Sequence, residues 1–274
     1  MFEVKWVDFL AKKKKALKGE YWAFESVVLC FCDGQPIGDY RDLQKWSNVR
    51  YHLDNYRPYS FYQMLAVDKY KDTLMQRNRK YVSMAITVGG EICGSLLFEL
   101  YSDIVPKTCQ NFIKLCTGEL GFIPKNETED YRMHYLNTIF FRLVPEGWIQ
   151  GGDILYGSGN AGRSIYSEKF EDENFAIKHD GRGVLSMVNE GQHTNSSQFM
   201  ITFQPAAWMD YRYVAFGQLI EGAQTLNAME KVPTKNERPC QEIKISEIKV
   251  LDAEDIHSRI RLSTKEEKYN DTYI

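Results

Sequence analysis

Between residues 82 and 100 the chain alternates apolar and polar positions in two successive runs. Val82, Met84, Ile86 and Val88 interleave with Ser83, Ala85 and Thr87, the two-residue period of a strand with one buried face. Gly89-Gly90 turns the chain, and Leu96, Phe98 and Leu100 repeat the alternation. The period then lengthens. Pro106 stands where a helix opens, Cys109, Phe112, Leu115 and Cys116 follow at helical spacing, and Gly118 ends it. Further short apolar runs over 138–144, 183–188, 199–203, 214–220 and 243–250 end in glycine turns. Many short strands with few flanking helices predict a mainly β fold, a barrel or a sandwich.

Upstream the pattern differs. Trp6, Phe9, Leu10 and Ala16-Leu17 predict a first helix around Lys12–Lys15. The apolar run 26–32 ends at Asp33-Gly34, a hairpin-turn dipeptide, and Gln35-Pro36-Ile37-Gly38 leads into a helix starting near Asp39 and carrying Leu43 and Trp46. The charged stretch Gln76–Lys80 reads as a linker. The expected organisation is a small α/β lobe over 1–78, a β domain over 79–252 and a polar tail over 253–274. A lobe of roughly eighty residues supports only a marginal core by itself.

Composition narrows the function classes. The 274 residues are 43% hydrophobic and 26% charged, an ordinary globular make-up. The net charge of −3 hides a mild asymmetry: residues 1–78 carry 13 Lys/Arg against 10 Asp/Glu, the rest 21 against 27. Neither half has the basic footprint of a nucleic-acid binder, so no nucleic acid is expected as partner. The lysine run reads as a solvated helix face, with docking to an acidic protein surface as the alternative. No apolar run approaches the roughly 20 residues of a membrane span, and the first residues lack a signal-peptide pattern, so no membrane association is expected. Six cysteines without a C-x-x-C pair fit a reduced, intracellular, cytoplasmic protein.

Several chemistries fall away on spacing. Gly157-Ser158-Gly159-Asn160-Ala161-Gly162 matches a dinucleotide fingerprint, but the charged residues after it do not open a helix, so it reads as a loop. The five histidines are scattered without ligand spacing, so no metal and no cofactor are expected. A Ser-His-Asp hydrolase lacks its G-x-S-x-G elbow.

One constellation stands out. Phe140-Phe141-Arg142-Leu143-Val144-Pro145 with Trp148-Ile149-Gln150-Gly151-Gly152-Asp153 resembles the signature of cyclophilins, the peptidyl-prolyl cis-trans isomerases that bind cyclosporin. The likeness runs in order through Val105–Thr108, Asn111-Phe112, Ser164–Tyr166, Glu168–Phe175, Leu185–Met187, Asn189, Asn195, Ser197–Phe199, Trp208 and Val214–Gly217, covering roughly residues 80–252. The resemblance implies an eight-stranded antiparallel barrel capped by two helices, acting on protein segments that contain X–Pro. It also implies the roles. Arg142 would donate to the nitrogen of the twisted imide, Gln150 would hold the carbonyl side, Asn189 would pair with the substrate backbone, and Gln198 would support the arginine. Trp148, Met200, Trp208, Met209 and Tyr213 would line the substrate groove, Trp208 being the family's cyclosporin marker.

The apolar pocket departs from the family. Gly147 stands where it has its floor phenylalanine, Trp148 replaces a methionine, Met200 a second phenylalanine, Tyr213 a histidine, and Val188 and Glu190 two alanines. Trp148 is expected to rebuild the floor with Met200, and turnover to be weak. Phe31–Gly38 with Asp42-Leu43 resembles the latter half of glutaredoxins, without a redox motif and with Val28 at the cis-proline position. Such an extension is similar to the arrangement in the peptidyl-prolyl isomerase-like protein six subgroup of cyclophilins. That subgroup's association with motile cilia implies a second function class, a non-catalytic scaffold of the axoneme docked on tubulin or other axonemal proteins.

Overall fold

The computed structural model describes residues 3–17, 21, 24, 26, 28–52, 57, 59–77, 79–124 and 130–256. They divide into two compact units, one built from Lys5–Tyr70 and the other mainly from residue 71 onward.

In the first unit, helix α1 (Glu3–Leu17) carries the lysine run. Lys12 and Lys15 are exposed as expected, but Lys13 is half-buried and lies over the rings of Phe31 and Phe9, at 5.1 and 5.6 Å. Strands β1 (Cys30–Cys32) and β2 (Gln35–Gly38) form the hairpin expected at Asp33-Gly34, both of which take positive φ. Asp39 caps α2 (Tyr40–Tyr51): its carboxylate accepts from the Arg41 and Asp42 amides, and Asp42 returns the favour to the Asp39 N–H. Helix α3 (Tyr59–Arg77) has no counterpart in the apolar pattern. Of the stretch read as a linker, Gln76 and Arg77 end this helix and Lys80 already starts a strand.

The second unit is a curled antiparallel sheet. Its strands are β3 (Lys80–Val88), β4 (Glu91–Leu100), β7 (Arg142–Val144), β8 (Trp148–Gly151), β9 (Val184–Met187), β10 (Phe199–Thr202), β11 (Ala215–Glu221) and β14 (Ile243–Leu251). They are ordered β14-β3-β4-β11-β9-β10-β8-β7. Its two edges are tied together by the segment before β7. The Asn137 and Phe140 amides donate to β14 carbonyls, and the Ile245 amide donates back to Thr138. Closure leaves few open edges, the usual solution for a sheet of this size.

Two helices pack on this sheet, as expected: α4 (Pro106–Thr117) and α5 (Ala223–Glu230). Proline opens α4 and Gly118, at φ 68°, closes it. No side chain of its own caps α4. Glu173, far along the chain, accepts from the Lys107 and Thr108 amides and the Thr108 hydroxyl at 2.8–3.0 Å. Cys109, Phe112, Leu115 and Cys116 bury their face in a core where Phe112 meets Tyr135, Phe199 and Phe216 at 5.0–5.2 Å. Small hairpins β5 (Phe122–Pro124) with β6 (Asp130–Arg132) and β12 (Thr234–Lys235) with β13 (Arg238–Pro239) decorate the sheet. The expected tail begins with a turn of helix in which Ala253 and Ile256 are buried, capped by Asp252. Residues 257–274 lie outside the described residues.

Candidate functional site: a groove on the outer face of the sheet

Alternation places the site. Leu143, Ile149, Ile201 and Leu185 are cross-strand partners on β7, β8, β10 and β9 and fill the core. Their chain neighbours Arg142, Gln150, Met200 and Ser186, also partners in register, therefore face the opposite side. Residues two positions away, Trp148 and Gln198, share that outward face. It opens into a groove of about 550 Å³ lined by Arg142, Trp148, Gln150, Asn189, Gln198, Met200, Trp208, Met209 and Tyr213. The nine residues expected from the sequence thus all line one groove.

The apolar end is built on Met200, Ala206 and Met209, which form a buried cluster with Trp148, Val188 and Tyr213 packed against it. Trp148 is half-buried and meets Trp208 edge-on at 5.6 Å, and Trp208 meets Tyr213 at 6.5 Å. Gly147 does not line the groove, and a Cβ there would press on Val144 at 3.1 Å. Trp208 is 53% exposed, a rim residue.

At the polar end, Gln150 donates to Gln198 at 3.0 Å, and Gln198 donates to the Gly159 and Ala161 carbonyls at 2.9 and 2.7 Å. The described hydrogen bonds of the two glutamines run to each other and to this loop. The Gln198 amide thereby organises the neighbouring loop. Arg142 donates from Nε to Glu237 Oε2 at 2.7 Å and lies against the Trp148 ring, 5.3 Å from its centre. Asn189 sits at the rim with its amide donated to the Arg212 carbonyl at 2.7 Å. Glu190, the awkward acidic neighbour, is ion-paired with Lys169 across the groove, so its charge is compensated.

The loop dismissed as a dinucleotide fingerprint is one wall of this groove. Asp153 is buried and accepts from the Leu155, Tyr156 and Gly159 amides. Gly159 takes φ 88°, and a Cβ there would collide with the Phe141 ring. The glycines thus serve close packing and a left-handed turn.

The structure also assembles a Ser-His-Asp row that sequence spacing gave no reason to expect. His179 faces Asp210 through Nδ1 and Ser186 through Nε2, both at 3.0 Å. Ser186 and His179 are essentially sealed from solvent, so no substrate carbonyl reaches the hydroxyl. The row is a brace: Asp210 also accepts from the His179 amide, and the His179 carbonyl accepts from Ala206. It holds the segment that carries Trp208 and Met209 (a 3₁₀ turn, Ala207–Met209). Burial pushes the His179 imidazole below its ordinary value, outweighing the bonds to Asp210.

Residues 81–250 match the family described as cyclophilin type peptidyl-prolyl cis-trans isomerase/CLD. The chain is 46% identical over 245 residues to the human protein named Probable inactive peptidyl-prolyl cis-trans isomerase-like 6, spanning 89% of this chain and 78% of that one. It is 47% identical over 155 residues to peptidyl-prolyl cis-trans isomerase H of Mycosarcoma maydis, covering 56% of this chain and 96% of the other. A crystal structure of a Cryptosporidium parvum cyclophilin type peptidyl-prolyl cis-trans isomerase superposes with a TM-score of 0.55 at 35% identity, over 64% of this chain and 98% of its own.

Proposed function

Because the chain belongs to the cyclophilin-type peptidyl-prolyl cis-trans isomerase family, we propose that its groove binds X–Pro segments of protein substrates and isomerises them weakly. The observation that carries this reading is the shared outward face. A guanidinium, a glutamine pair and a methionine–tryptophan floor line one groove of about 550 Å³.

Rotation about X–Pro crosses a barrier of roughly 18–20 kcal/mol because amide resonance is lost. No bond to the protein forms, so no nucleophile is required. The apolar floor of Met200, Met209 and Trp148 would hold the proline ring while the amides of Gln150 and Asn189 steer the peptide. As the imide twists, its nitrogen becomes pyramidal and basic, and a fixed cationic donor then binds it better than the planar ground state. Arg142 is the group suited to that task. Weak turnover fits the remodelled floor, since about 3 kcal/mol of lost transition-state stabilisation costs roughly a hundredfold in rate.

The test is NMR exchange on an X–Pro peptide with wild type and Arg142→Ala. Slow catalysis that disappears in the variant is expected. A fully active Arg142→Ala would dismiss the assignment, and uncatalysed rates for both would leave a peptide-binding or scaffold protein.

A scaffold role has its own support. Val49, Phe61, Met64 and Leu65 on α2 and α3 are between 39 and 81% exposed, and the same unit exposes the cations Lys12 and Lys15 of α1. Such a surface suits an acidic protein partner, with tubulin or another axonemal protein of the cilium as the candidate. Microtubule co-sedimentation that neither occurs nor responds to neutralising Lys12 and Lys15 would end that reading.

A further inference from the structure

A tight hairpin turn brings a carboxylate to Arg142. Asn236 and Glu237, between β12 and β13, both take left-handed backbone conformations, with φ 51° and 62°. Positive φ at both central residues is what a two-residue hairpin turn demands, and β12 and β13 pair directly on either side of these two. Here the Glu237 carbonyl is pinned by the Leu143 amide at 2.7 Å, which fixes the loop beside β7. The side chain is thereby delivered to Arg142, whose Nε it engages at 2.7 Å. The glutamines are committed to each other and to the loop wall, so the guanidinium's partner is an anion rather than a neutral amide.

We propose that Glu237 is an intramolecular brake on the groove: it occupies Arg142 and lowers the positive potential that a twisted imide would meet. The proposal rests on reading the groove as an X–Pro site. Glu237 acts through Arg142 and lines a small side pocket of about 210 Å³ next to it, together with Asn236, Arg238, Ser158 and Asn160. A carboxylate in hydrogen-bond contact competes with any substrate acceptor for the guanidinium protons. It also weakens the field in the transition state more than in the planar ground state, where the imide nitrogen has little basicity. Both partners are close to half exposed, at 43 and 49%, so solvent screens the pair and the brake is moderate.

The experiment compares wild type, Glu237→Gln, Glu237→Gly and the double variant Glu237→Gln/Arg142→Ala. An unlabelled X–Pro peptide is followed by NMR exchange, with its binding read in parallel from chemical-shift titration. Glu237→Gln keeps the volume and removes the charge. Glu237→Gly removes the side chain and suits the left-handed backbone, which protects against a folding artefact. Both single variants are expected to raise the exchange rate about three- to tenfold with little change in peptide affinity. The rise should vanish in the double variant. The Arg142 Nε–H signal should lose its protection from solvent exchange in Glu237→Gly and keep part of it in Glu237→Gln, whose amide oxygen still accepts, so a rate rise common to both tracks the lost charge. Unchanged or slower exchange in both, with peptide still bound, would overturn the brake while leaving the groove's function standing. Absence of peptide binding in every protein would overturn the brake and the reading beneath it together.

Discussion

Replacing Gln198 with alanine is the sharpest test of how the groove is held. The side chain is 8% exposed and makes three hydrogen bonds at 2.7–3.0 Å, to Gln150, Gly159 and Ala161. A neutral hydrogen bond contributes about 1 kcal/mol net, and a buried donor left without a partner costs about 1–3 kcal/mol. Gly159 and Ala161 are half-exposed residues, so their carbonyls have water within reach. Gln150, at 7% exposure, cannot do so easily. The expected loss is therefore about 2–3 kcal/mol, most of it from the stranded Gln150 amide. For a folding unit of this size that lowers the melting temperature by about 4–12 °C. Local exchange should rise at Asn160–Gly162 but less at Gly159, whose amide is separately held by Asp153. Urea unfolding would measure the global loss, and hydrogen exchange followed by mass spectrometry the local one. A change below about 0.5 kcal/mol, with the loop amides as protected as before, would refute the claim that Gln198 ties wall to floor.

Two further outcomes follow from His179 and Glu173. The folded state holds His179 neutral through burial, so on acidification the unfolded chain takes up a proton that the folded one resists. Stability should be level above the ordinary imidazole value of 6.5 and fall as pH drops through it. Urea midpoints from pH 8 to pH 5 should show that slope and lose part of it in His179→Gln; an identical slope would mean another group titrates. Glu173→Ala removes the remote cap of α4 and should cost about 2 kcal/mol, with Glu173→Gln costing roughly half; a loss under about 0.5 kcal/mol in chemical denaturation would contradict the capping role.

What could be read in the one-dimensional pattern is what depends on near neighbours. Pro106 and Gly118 bound a helix because the N–H that proline lacks has no partner at a first helical position and glycine accepts φ 68°, and both hold in the structure. Asp33-Gly34 turns a hairpin and Asp39 starts a helix for equally local reasons. The outward positions of β7, β8 and β10 also follow from strand alternation once the strands are known, which accounts for Arg142, Trp148, Gln150 and Met200, whereas Asn189, Trp208, Met209 and Tyr213 were expected at the groove only because the resemblance implied them. Helix α3 escaped because its apolar residues form no single stripe: Phe61, Met64 and Leu65 are exposed, and among its described residues only Leu74 is buried. The rest is decided through space. Glu237 lies 95 positions from Arg142, Glu173 lies 66 from the helix end it caps, and Asp210 lies 31 from His179. No periodicity links such pairs, because each depends on how strands register and how the sheet curls. Tertiary structure therefore determined which partner the key arginine received, and with it the electrostatic character of the site.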